Sequence, residues 1–149
     1  MSTIDQILRL KNRPVITIDP KDTMVAAAKL LYQNRIGLLM VVDGKGKFIG
    51  VLSEHDIVKA IANQADLIHG MTVETVVTTK VVACRPQTQV DEVLRTMQTR
   101  GFRHMPVIHE GRVVGIISVG DCLKFMVQAA RGDAAKLQQL HDSGALTAG

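Results

Sequence analysis

The sequence predicts an α/β fold of the α+β type: two β-α-β-β-α repeats packed with pseudo-twofold symmetry. Three observations lead there. A phrase at residues 50 to 60, GVLSEHDIVKA, returns at residues 115 to 125 as GIISVGDCLKF. The surrounding sequence repeats with it, Pro20 aligning with Pro86, Gly50 with Gly115 and Asp56 with Asp121, with one extra residue near Gly44 to Gly46 in the first copy. Within each copy the apolar period changes from strand-like to helical and back, and such self-similarity is the signature of a repeat architecture.

Each copy opens on a short run, Val15 to Ile18 or Val81 to Cys84, followed by a proline that cannot continue a central strand. Met24, Ala27, Ala28 and Leu31 then fall at helical spacing, as do Val90, Val93, Leu94 and Met97. Two apolar runs separated by a glycine-bearing turn come next, Leu38 to Val42 with Phe48 to Leu52, and Met105 to Ile108 with Val113 to Ile117. They predict a hairpin in each copy. A second helix closes the unit, with Ile57, Ala60 and Ile61 on its apolar face in one copy and Cys122, Phe125, Met126 and Ala129 in the other. The lead-ins TIDQIL at 3 to 8 and TVETVV at 72 to 77 match as well.

The resulting division is repeat 1 with its lead-in at 1–63, a connector at 64–71, repeat 2 at 72–130 and a tail at 131–149. A repeat of about fifty residues buries too little apolar surface to stand comfortably alone, so the two are expected to share one domain. The tail loses periodicity after Gly132, which allows at most a short helix and a flexible end.

Composition narrows the function. With 46% hydrophobic residues, no apolar run near eighteen residues and no signal-like N-terminus, the chain reads as soluble and cytoplasmic, with no membrane partner. A net charge of +4 from scattered basic residues favours anionic ligands, while 3% aromatics offer no base-stacking platform, so nucleic acid is not expected. Cys84 and Cys122 read as buried thiols, and Met24, Met97 and Met126 as core side chains. The five histidines, His55, His69, His104, His109 and His141, lack metal-ligand spacing, and no nucleophile, base or metal set emerges, so neither an enzyme nor a metal site is expected. Lys59 and Lys124, repeated after the phrase, read as solvated helix residues.

The doubled phrase has the form G-h-h-S-x-x-D, h being apolar, at a strand-to-helix junction. A serine N-cap with a carboxylate three residues later is a helix-capping pattern. Aspartate is shorter than the Glu or Gln such a box prefers, and the in-strand glycines, Gly50 and Gly115, suit close approach of a ligand to the backbone. Capping and binding both remain open on the residues alone. As a binding device, Ser53, Asp56, Ser118 and Asp121 would accept and donate hydrogen bonds to a ribose diol at a helix N-terminus. Arg100, Arg103 and His104 would meet phosphate, with His55 inside the first phrase, whereas the place of Arg103 and His104 is taken by Gly37 and Leu38 in the first copy. The two sites are therefore expected to differ.

The element order, the RHMPV strand, the G-h-h-S-x-x-D phrase and its tandem recurrence resemble a pair of cystathionine-β-synthase (CBS) domains over residues 3 to about 129, similar to small stand-alone bacterial CBS-pair proteins. The resemblance implies a regulatory module, not an enzyme, binding AMP, ADP, ATP, S-adenosylmethionine or NAD(H) in clefts between the repeats and signalling to a partner. It needs no cofactor beyond that regulatory ligand, AMP, ATP or NADH being favoured. It assigns ribose to Asp56 and Asp121 with Ser53 and Ser118, adenine to Val15, Ile36, Val81 and Phe102, and phosphate to Arg103 and His104. The chain departs from many members in carrying His55 and Gly120, not Arg, before the motif Asp. A homodimer through the exposed helices is also implied, and a ligand-free interaction module is the alternative function.

Overall fold

The computed structural model describes the backbone of residues 2–143 and the side chains of residues 2–132. The elements run α1 (Ile4–Lys11), β1 (Thr17–Ile18), α2 (Met24–Asn34), β2 (Leu38–Val42), β3 (Phe48–Ser53), α3 (Glu54–Gln64), α4 (Val90–Arg100), β4 (His104–His109), β5 (Arg112–Ser118) and α5 (Val119–Ser143), with 3-10 turns at Ala65–Gly70 and Val73–Thr75. Both hairpins and both helices of each repeat stand where the apolar periods put them, in an α+β fold.

Chain contacts divide these elements into two compact units that cut across the sequence repeats. One contains Met1–Arg13, Cys84–Met105 and Ile116–Gly149, the other Pro14–Ala83 and Pro106–Gly115. Each unit thus takes the lead-in of the other repeat, and Pro106–Gly115 of the second hairpin is counted with the first-repeat unit.

In the unit built on the first repeat, β1 pairs parallel to β2 (Thr17 with Met40), and β2 pairs antiparallel to β3 (Met40 with Val51), with a bulge beside Val42. Ile18, Met24, Ala27, Leu31, Leu39, Val41, Leu52, Ile57, Ala60 and Val73 form its core. The lead-in carrying Val73 docks by backbone hydrogen bonds: Val73 N–H to Asp22 O (2.8 Å), Glu74 N–H to Pro20 O (2.8 Å) and Met24 N–H to Met71 O (2.9 Å). It then turns extended, because Val76, Val77, Thr78 and Thr79 are β-branched and resist helix. Thr78 exchanges two bonds of 3.0 Å with Val51.

The other unit repeats the docking with its own residues. Ile4 donates to Thr88 O (2.9 Å), Asp5 to Pro86 O (2.8 Å) and Val90 to Ser2 O (3.0 Å). Here the lead-in stays helical as α1, since Leu8, Arg9 and Leu10 favour helix. Ile4, Ile7, Cys84, Val90, Val93, Met97, Met105, Ile117 and Cys122 are its buried residues. Burial pushes the Cys84 thiol up to about 12 and the Cys122 thiol to about 11, which leaves both un-ionised at neutral pH.

Four expectations change. Val81 to Cys84 forms no strand, and only Cys84 sits at a bridge position; just two of its four residues are β-branched, against all four in Val15 to Ile18. That first strand is itself confined to Thr17–Ile18. Ile61 and Met126 are 49% and 44% exposed, on the outward sides of α3 and α5, whose buried residues are Ile57, Ala60 and Cys122. Past Gly132, α5 continues without a break to Ser143, because Ala134, Ala135, Lys136, Leu137 and Gln138 are strong helix formers; residues 144–149, the expected flexible end, lie outside the described residues.

Gly50 is fixed by the chain itself. A β-carbon there would overlap the Thr78 carbonyl oxygen and stand 2.9 Å from both Thr78 C and Val77 Cγ2. The close approach expected at this glycine is therefore made by the lead-in backbone. Gly50→Ala should destabilise the protein by about 2 kcal/mol or more, read as a lowered urea midpoint with an unchanged slope.

Candidate functional site

The two phrases are helix caps with the same geometry. Ser53 closes β3 and caps α3: the Asp56 N–H donates to Ser53 Oγ (3.2 Å) and the Ser53 N–H to Asp56 Oδ2 (2.8 Å). Ser118 closes β5 and caps α5: the Asp121 N–H donates to Ser118 Oγ (2.9 Å) and the Ser118 N–H to Asp121 Oδ2 (3.0 Å). Aspartate thus reaches the N-cap amide, contrary to the expectation that its length argued against a reciprocal box. Neither Oδ1 accepts a hydrogen bond within the described residues, so each carboxylate keeps an acceptor for a ligand.

A second shared bond ties each cap to the preceding hairpin strand. Glu54 N–H donates to Gly37 O (3.0 Å), and Val119 N–H donates to Arg103 O (2.9 Å). Arg103 is thereby anchored at the Ser118–Asp121 helix start, with an exposed side chain. At Gly37 the neighbour is acidic: a β-carbon there would lie 3.4 Å from Glu54 Oε1.

The largest difference lies at Asp121. The Lys11 Nζ, from the end of α1, donates to Asp121 Oδ2 (2.8 Å) and to Ile116 O (3.0 Å). Both partners are partly buried. Burial on its own would raise the Asp121 carboxyl, but the Lys11 ammonium and the Ser118 amide outweigh it and hold the group below the ordinary carboxylate value. Lys80 holds the matching lead-in position, yet among the described residues Asp56 has no salt-bridge partner.

Asp121 lines a cleft of about 390 Å³ with Lys11, Arg13, Lys124, Phe125 and Gln128. A separate cleft of about 760 Å³ in the first-repeat unit is bounded by Ala28, Tyr32, Arg35, Ile36, Gly37 and Glu54, and Asp56 is not among its walls. Of the expected site residues, Ser118, Asp121, Arg100, Phe102, Arg103 and His104 share one unit, and Ser53, Asp56, His55, Gly50, Val15 and Ile36 the other. Val81 and Gly115 also belong to the first-repeat unit. Arg100 closes α4 with an exposed side chain, and His55 is exposed at the second residue of α3.

The sequence reading missed Lys11 and Arg13 and set Lys124 aside. The available signal was the alignment of Lys11 with Lys80, three residues beyond the matched lead-ins. Among the described residues, no three His, Cys, Asp or Glu side chains are grouped to hold a metal ion, and no helix is long and apolar enough to cross a membrane.

Because its folded value is depressed, Asp121 contributes stability that is present above the ordinary carboxylate value and is lost as pH falls through the folded one. Carboxyl-carbon NMR should show Asp121 titrating below the ordinary value in the native chain and moving upward in Lys11→Met, where burial loses its strongest opponent.

Comparison with known proteins agrees with this architecture. The CBS domain family matches residues 6–63 and 73–128. A relative from Methanosarcina acetivorans, an L-aspartate semialdehyde sulfurtransferase, is 36% identical over 116 residues, which are 76% of this chain but 22% of that enzyme. Among solved structures, the CBS-domain containing protein ATU1752 from Agrobacterium tumefaciens superposes with a TM-score of 0.78 at 34% identity, covering 84% of this chain and 99% of that one. The CBS domain pair of protein MJ0100, in complex with 5'-methylthioadenosine and S-adenosyl-L-methionine, gives 0.75 at 28% identity, covering 87% and 98%. With two family matches, each spanning one copy of the doubled phrase, this chain belongs to the CBS domain family.

Proposed function

We propose that the chain is a regulatory module, not an enzyme, that binds adenosine-containing ligands at its two Ser–Asp helix starts and signals to a partner protein. The observation that carries this reading is the Asp121 carboxylate: it is fixed through Oδ2 by Ser118 and Lys11, keeps Oδ1 without a bond among the described residues, and lines a basic cleft. A ribose diol supplies two donors for such an acceptor. Support comes also from MJ0100, whose CBS pair holds two adenosyl compounds. Phe102, Val15, Ile36 and Val81 remain the proposed adenine contacts, and Arg103 and His104 the proposed phosphate contacts. AMP, ATP and NADH are the favoured ligands, and the cytoplasm is the proposed location. A ligand acts by binding unequally to two arrangements of the chain, which is the only way it can shift them.

Calorimetric titration with AMP, ATP, NADH and S-adenosylmethionine should give saturable heat with at least one of them and unequal affinities at the two sites. Asp56→Asn and Asp121→Asn keep a capping oxygen while removing the charge, and each should weaken one site roughly tenfold or more, the range for hydrogen bonds to an ionised group. Absence of saturable heat with all four ligands would overturn the reading.

A homodimer belongs to the same proposal. Val58 and Ile61 on α3 are exposed apolar side chains, as are Leu123, Met126 and Val127 on α5, and each helix face has the composition that a second copy covers. Light scattering should give about twice the 16.2 kDa chain mass, with Val58→Lys shifting the protein toward monomer.

A further inference from the structure

We propose that Lys11 sets the charge class of the ligand at the Asp121 cleft, so that this site takes phosphate-bearing nucleotides and discriminates against neutral nucleosides. The inference rests on the adenosyl-binding reading and goes beyond it, since a ribose diol alone is the same in both classes.

The cleft is electrostatically unbalanced. Its charged walls are Lys11, Arg13, Lys124 and Asp121, three cations against one carboxylate. Arg13 and Lys124 have no salt-bridge partner within the described residues. Two positive charges are left uncompensated, matching the charge that a nucleoside monophosphate carries near neutral pH. Lys11 is the best placed of the three. Its Nζ is tethered to Ile116 O (3.0 Å) and Asp121 Oδ2 (2.8 Å), and an ammonium has a third donor. A partly buried, pre-positioned cation is screened less by salt than an exposed one. The volume, about 390 Å³, lies in the range of roughly 300–1,000 Å³ typical of small-molecule sites.

The other copy lacks this arrangement. Asp56 has no salt-bridge partner among the described residues, and Glu54 places a carboxylate beside Gly37 where the second copy has Arg103. Phosphate preference is thus a property of the Asp121 cleft.

The test compares AMP with adenosine on the full chain, by calorimetry, with the Asp121 carboxyl-carbon signal reporting which cleft is filled. The native protein should hold AMP at least about tenfold more tightly than adenosine, as a charge-assisted contact provides. In Lys11→Met the preference should fall to about threefold or less, the share left to Arg13 and Lys124. Lys124→Gln, an exposed position that keeps the test available if the first variant folds poorly, should reduce the preference about threefold. Added salt should shrink it in the native protein. A preference that survives undiminished in both variants overturns the proposal. So does equal affinity of the native protein for AMP and adenosine with the Asp121 signal moving for both, a result that leaves adenosyl binding standing. No Asp121 response to either ligand overturns this proposal and the assignment of Asp121 together.

Discussion

Each lead-in folds with the body of the repeat it does not precede, and the structure depends on that exchange. Three backbone bonds make it, with the same spacing on both sides: Ile4, Asp5 and Val90 in one unit correspond to Val73, Glu74 and Met24 in the other. Of the three, the bonds donated by Met24 and Val90 satisfy the first amides of α2 and α4, which have no partner in their own helices. The apolar contribution is comparable: Ile4 and Val73, both fully buried, enter the two units from the exchanged segments. Beyond the docked residues the two lead-ins diverge. A helix-forming lead-in carries Lys11 to Asp121, while a β-branched one lays Thr78 against Val51 and leaves Gly50 no room for a side chain.

The phrase that specifies the helix starts also fixes the candidate ligand acceptors, and the geometry explains how one residue serves both purposes. One carboxylate oxygen holds the N-cap amide, which orients the aspartate, and the other accepts no hydrogen bond among the described residues. A Glu in that place would reach the cap with a longer and more mobile arm. The short side chain therefore favours positioning, and the local strand-to-helix turn, not a remote support, determines where the acceptor points. The nearby bond from the first helical amide to Gly37 or Arg103 completes the frame.

Much of this was legible in the sequence because it is local or periodic. The hairpin strands, α2, α3 and α4, and the capping serines can be read from apolar spacing and from residues three positions apart. Met24 and Met97 are buried as their helical spacing predicts, and so are both cysteines. The features that were not legible depend on distant partners. Lys11 and Asp121 are 110 residues apart, so their pairing exists only once α1 docks beside α5. Gly50 reads in the sequence as room for a ligand, yet it answers to Thr78, which is equally invisible to a local pattern. Met126 shows a further limit: periodicity identifies the apolar side of a helix, but α5 buries Cys122 and leaves Met126 exposed.

The interleaving of the two units has a consequence for how the chain can be divided. A break near Gly70, an exposed glycine with open space around it, would produce two pieces that each contain part of both units. Neither piece would be a smaller version of the whole, since each would lack a segment of its own packing and hold one belonging to its counterpart. The pieces would therefore need each other to fold, as complementing fragments of a split protein do. For a protein built by repetition, the sequence repeat is the unit of inheritance, while the unit of folding requires both copies.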